Sequence, residues 1–220
     1  MSKLLPGKKR LTMRGTDRKV INTRVAPTIN WKAKVVCRDC NVGWMSRLEN
    51  QHAKPAMADL MLGKMDIPIH QTRADSLAIF TFKTAVVLDH LTRDREPFFD
   101  RAIRHKFRES LAVPLHVHMW LNAFAPAGRG EANTLYQGAD LPESKGIEMY
   151  VCTFLVQHLV LQLVACKVRG FTKLVRKDNF LAVPFWPKLP NNVVWPPSWA
   201  ITTTEEFDLF SDGWKELDAS

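Results

Sequence analysis

The chain has 220 residues, 46% hydrophobic and 24% charged, which suffices to bury a core in one domain or two small ones and excludes a disordered, collagenous or coiled-coil protein. Its four cysteines are too few for a disulfide scaffold, and no secretory leader pattern opens the chain, so a reducing, cytoplasmic setting is expected. The formal charge of +9 is concentrated: residues 1–48 carry twelve Lys or Arg against Asp17 and Asp39, a net +10, and the remainder sums to −1.

The basic excess comprises Lys8, Lys9, Arg10, Arg14, Arg18, Lys19, Arg24, Lys32, Lys34 and Arg38 among others, while the stretch from Glu205 to Asp218 holds six carboxylates against Lys215. Such asymmetry points to a polyanion or an acidic protein surface as the partner of the N-terminal region. The alternative is a basic arm that solubilises the chain or docks on its own acidic tail.

In chain order, residues 1–9 read as a loose arm. Arg10 to Val36 reads as short strands and turns broken by Gly15 and Ala26-Pro27. A helix is expected just after Asn41 and Gly43, with Trp44, Leu48, Ala56 and Leu60 on one face. Pro55 should kink it or split it near Lys54 before it ends about Gly63. Thr72 with Asp75 has the spacing of a capping box, and Leu77, Phe80, Thr84, Leu88 and Leu91 predict a buried central helix. Pro97 suits the first turn of a further helix with Phe99, Ala102, Ile103 and Phe107 on its apolar side. Arg101, Arg104, His105 and Arg108 form one basic stripe on the opposite side.

Beyond Ser110 the period becomes that of strands. Leu115 to Phe124 predicts a strand and Gly128 to Gly146 a long loop. Met149 to Cys166 carries no formal charge, the length at which a membrane helix must be considered. Its Thr153, Gln157, His158 and Gln162, with four β-branched valines, fit two buried strands turning at Gln157 and His158 better than a span. Prolines and Trp186, Trp195 and Trp199 predict an irregular tail pinned by tryptophans, ending in a short helix near Glu205 to Phe210. The expected class is α+β: an N-terminal hairpin and half zinc knuckle leading into helices, then an antiparallel sheet region. The division follows as a basic unit over 1–63 and a larger α+β region over 64–220.

Cys37 and Cys40, in C-R-D-C, are the one cysteine pair at metal spacing. Two thiolates hold one side of a tetrahedral zinc, and four ligands close a structural site. His52, or a second chain in a homodimer, would have to complete it; otherwise the knuckle is empty. Cys152 and Cys166 read as inert core residues. His116 and His118 alternate on a strand and so share a face, without a visible third ligand.

The run Val35-Val36-Cys37-Arg38-Asp39-Cys40-Asn41-Val42-Gly43-Trp44-Met45-Ser46-Arg47-Leu48-Glu49 resembles the second half of a group of HNH-type endonuclease-like proteins, with their V-C-x-x-C-N-x-G-W-M-S-x-L-E signature. Phe82-Lys83-Thr84-Ala85 and Trp195-Pro196 are similar to that group's downstream segments. The resemblance implies a zinc-stabilised ββα fold whose first half supplies another C-x-x-C and a histidine that activates water beside a divalent metal. This chain departs there: no histidine or cysteine precedes Cys37, and its first histidine is His52. Phosphodiester hydrolysis needs a base near the attacking water and a metal to hold the developing charge.

The expectation is therefore a non-catalytic nucleic-acid-binding protein resembling a shortened HNH nuclease, contacting phosphates through the basic N-terminal residues, helped by Arg101, Arg104 and Arg108. Two other readings stand beside it. One is a phage or mobile-element inhibitor, anti-CRISPR-like, that binds a nucleic-acid-handling protein complex. The other is an active metal-dependent nuclease using His52 with Glu49, or His116 with His118.

Overall fold

The computed structural model describes residues 9–14, 20–26, 35–90, 96–125, 133–144, 147–167 and 182–212. The elements are strands β1 (Lys9–Arg14) and β2 (Val20–Ala26), helix α1 (38–61), β3 (Ile67–Pro68), α2 (Gln71–Asp89) and α3 (Arg101–Ser110). They continue with β4 (Val117–Phe124), β5 (Asn133–Ser144), β6 (Ile147–Val156), β7 (Leu159–Cys166), β8 (Val183–Trp186), β9 (Val194–Trp195), β10 (Ala200–Ile201) and α4 (Thr204–Asp212). This is an α+β fold. One sheet runs β10-β4-β7-β6-β5-β1-β2, with β8 also paired to β4, and β3 and β9 form a separate antiparallel pair.

The uncharged run forms the hairpin β6–β7, in register from Met149↔Cys166 to Val156↔Leu159. Gln157 turns it with φ +60°. The run carries no charge and is mostly apolar because both faces are covered. On one face Tyr150, Cys152, Phe154, Leu161, Leu163 and Ala165 join the main cluster with α1, α2 and α3. On the other, Leu155 and Val160 meet Ile201, Phe207 and Phe210. The polar groups on that second face are paired: Gln162 Nε2 donates to Thr153 Oγ1 and to Phe210 O, each at 3.1 Å, tying α4 to the sheet. Among the described residues no helix is long and apolar enough to cross a membrane.

Several local expectations are corrected. The first helix starts at Arg38, before Asn41, because the Cys37 sulfur accepts the Cys40 amide at 3.3 Å and caps it. The kink lies at Gly43 (φ −86°, ψ −110°). The chain stays helical through Pro55, which follows a widened π turn over Glu49–Ala53. A proline lacks the amide and crowds the carbonyl four residues back, and a wider turn accommodates both defects. Leu48, Ala56 and Leu60 are buried as expected and Trp44 is half-buried.

There is no capping box at Thr72. Helix α2 begins two residues earlier, at Gln71, with His70 at its N-cap making no side-chain cap bond, and Asp75 instead accepts from Gln71 Nε2 at 2.7 Å. Pro97 and Phe99 lie outside α3, whose cap is Asp100, accepting from the Ile103 amide at 2.8 Å. Asp89, 1% exposed, explains the displacement: its two oxygens accept from the amides of Phe98 and Phe99 at 3.1 and 3.0 Å, holding that segment out of the helix. Ala102 is exposed, and Phe107 is the buried anchor of α3.

The loop expected over Gly128 to Gly146 contains β5, antiparallel to β6 and parallel to β1. Gly138, Asp140 and Pro142 argue locally against a strand, but pairing with a buried neighbour overrides propensity. The register shifts between Leu141 and Ser144, around Pro142, where a missing amide is tolerated. The hairpin β1–β2 extends this edge of the sheet. Of the tail tryptophans, Trp195 is buried, and Trp186 and Trp199 are half-buried.

Gly63 ends α1 with φ +67°, and a Cβ there would sit 2.9 Å from His158 Cδ2 in the β6–β7 turn. Gly63→Ala is therefore expected to destabilise the protein by about 1–3 kcal/mol, combining left-handed strain with this contact, measured as a lower urea midpoint at unchanged slope.

Candidate nucleic-acid interface

The C-R-D-C turn stands at the start of α1, with Cys37 exposed and Cys40 half-buried. Hydrogen bonding from the Cys40 side chain, then from its amide, lowers the Cys37 pKa, and the same thiol contact together with burial raises that of Cys40. Arg108, brought over from α3, favours the Cys40 thiolate. Cys152 and Cys166 are buried in the sheet, and burial pushes Cys166 up to about 11, which fits inert core thiols.

Between this turn, α2 and α3 lies a cavity of about 300 Å³. Its apolar wall includes Val36, Trp44, Val86, Val87 and Phe107. Its polar wall carries Cys37, Cys40, Lys83, His90, Arg104 and Arg108, with His105 beside them. No carboxylate is among the described residues that line it. The neighbouring acids Asp39 and Glu109 are exposed and are not lining residues, and Glu49 and Asp89 stand beside the lining residues Lys83 and His90.

Three interactions shape this space. Lys83 Nζ on α2 donates to Glu49 Oε1 on α1 at 2.8 Å and lies 4.9 Å from the Phe80 ring centroid. Phe107 meets Trp44 and Phe82 edge to face, at 6.1 and 4.8 Å between centroids, seating α3 on both other helices. Arg104 Nη1 donates to Phe99 O at 2.8 Å, so this guanidinium is positioned by the segment that Asp89 holds. The two segments quoted for the HNH resemblance, around Glu49 and Lys83, thus meet in space.

The sequence-predicted site residues divide into groups. Arg38, Arg101 and Arg108 are exposed and Arg104 is half-buried; Arg104 and Arg108 line the cavity with both knuckle cysteines. Lys9, Arg10 and Arg14 fall on β1 and Arg24 on β2, for which only the backbone is described. Lys8, Arg18, Lys19, Lys32 and Lys34 lie outside the described residues. His52 is half-buried in the widened turn of α1 and does not line the cavity.

His118 is on β4, stacked on Trp120 at 6.1 Å between centroids, whereas His116 sits in the turn before that strand. Among the described residues no group of three or more His, Cys, Asp or Glu side chains is gathered as a metal site. A tetrahedral set around Cys37 and Cys40 is therefore not assembled by the described residues. Sequence reasoning missed Lys83, His90 and Trp44 as cavity residues. Lys83, a lone cation on an otherwise apolar part of α2, was the one local signal.

No protein-family model, curated protein or solved structure matches the chain.

Glu49→Ala leaves the Lys83 ammonium, 10% exposed, without its carboxylate, and should cost about 1–3 kcal/mol in urea unfolding. Adding Lys83→Met should recover part of that loss, since an unpaired buried charge costs more than an absent one. His90, His116 and His118 all have pKa values lowered chiefly by burial, with Arg104 adding to the effect at His90. Charging them is disfavoured in the folded state, so their contribution is complete above the ordinary histidine value of 6.5. It should be lost as pH falls below that value and through the lower folded values. Thermal melts between neutral and mildly acid pH should show this decline, and His90→Gln should flatten it in part.

Proposed function

We propose that the protein is a non-catalytic nucleic-acid-binding protein that binds phosphates through its basic N-terminal residues, helped by the basic surface of the knuckle and α3. One observation carries the reading: Arg104 and Arg108 of α3 adjoin Cys37 and Cys40 around a space with no carboxylate among its described lining residues. Arg38 on the knuckle and Arg101 and Arg108 on α3 are exposed, so their charges are available to a ligand. Guanidinium groups suit phosphate, which they can bind bidentately. The net +10 of residues 1–48 adds a long-range attraction of the same sign.

Backbone contacts of this kind have a thermodynamic signature. Each phosphate neutralised contributes about −0.7 to −0.9 to the slope of log K against log salt, with little dependence on base sequence. Arg101→Ala and Arg108→Ala should each reduce the slope by about one unit and weaken DNA or RNA binding similarly across sequences, measured by fluorescence anisotropy over a salt series. Absence of binding to both nucleic acids at low salt would overturn the proposal.

A further inference from the structure

We propose that the cavity between the C-R-D-C turn, α2 and α3 receives one unstacked nucleotide, its base against the Trp44 wall and its phosphate on Arg104 and Arg108. This rests on the nucleic-acid reading above and specifies what the same site takes. The cavity's volume of about 300 Å³ is at the small end for ligand pockets. That is room for a single nucleotide and far too little for a duplex.

Its walls have two characters that a nucleotide also has. Trp44, Val86 and Val87 provide an apolar and aromatic surface, and Arg104 and Arg108 provide the cations. Lys83, on the same wall, is neutralised by Glu49, so the uncompensated charge lies at the α3 side. A ligand with its anionic group at that side and a flat apolar body towards Trp44 uses both.

A second observation points the same way. His90 Nδ1 is buried without a protein hydrogen-bond partner and His90 lines the cavity, while the Trp44 indole beside it hydrogen-bonds the Cys40 thiol. Buried polar atoms are normally satisfied, and a base edge offers the partner that His90 Nδ1 needs. Aromatic contact with a base tolerates any sequence, as the phosphate-based reading requires. Taking a base out of a stack costs least at a strand end or in a single strand, so single-stranded ends are the favoured donors.

The test is calorimetric titration of the full chain at low salt with a 5′-nucleoside monophosphate, the corresponding nucleoside and inorganic phosphate. The nucleotide should bind about tenfold or more tightly than either fragment, because each fragment engages only one wall. Phosphate binding as tightly as the nucleotide, or nucleotide binding that does not saturate, would overturn the inference. Val87→Trp, which fills the cavity, should reduce nucleotide affinity about tenfold or more; wild-type affinity in a folded variant would overturn it.

A measurement on the unaltered protein decides the matter if that variant does not fold. Bound nucleotide should slow alkylation of Cys37 and Cys40, read by mass spectrometry, since both line the cavity; unchanged rates at saturation would count against the site. The two readings fail separately. Salt-dependent binding of a short single-stranded DNA with no mononucleotide binding sinks the pocket alone. Mononucleotide binding with no oligonucleotide binding sinks the extended phosphate surface and keeps the pocket.

Discussion

The hairpin β6–β7 can be stable only when both of its faces are covered. An ordinary antiparallel hairpin has one apolar face and leaves the other to water; here every residue of β7 is buried. That requirement recruits two separate parts of the chain. Helices α1, α2 and α3 supply the cover on one side, and β10 with α4 supplies much of it on the other. The few polar side chains inside are tolerated because they do structural work, as Gln162 does in binding both Thr153 and the end of α4. Left unpaired at that depth, an amide costs more than its hydrogen bonds return.

The helical layer in turn creates the cavity. At one end of that layer the C-R-D-C turn, α2 and α3 border an unfilled space. Two interactions set its size. The Glu49–Lys83 pair holds α1 to α2, and Asp89 pins the segment that leads to α3. Aromatic packing of Phe107 against Trp44 and Phe82 then orients α3, which faces Arg104 and Arg108 towards the cysteines. The charge at the site is a consequence of where a helix docks, since α3 taken alone is an amphipathic helix with a basic side.

Much of this was legible locally. The turn at Gln157 and His158, the buried α2, the terminal helix and the arginine stripe of α3 follow from spacing, charge and turn chemistry over a few residues. Helix ends were less legible. A cysteine sulfur accepting the Cys40 amide, and the aspartate that ends α2 capturing amides that a proline rule assigns to a helix, involve competitors that periodicity does not register. Strand β5 was missed because its own residues favour a loop, and its pairing with β6 reverses that preference.

The amino-acid order alone thus decided the α+β class, the two-faced hairpin and the segregation of positive charge, all of which depend on residue type and short-range repetition. Only the tertiary structure decided that Lys83 meets Glu49, 34 residues away, and that Arg104, Arg108, His90 and both knuckle cysteines border one cavity. The physical reason is that a partner for a buried charge is chosen by the path of the chain through space. No pattern confined to one helix contains that path.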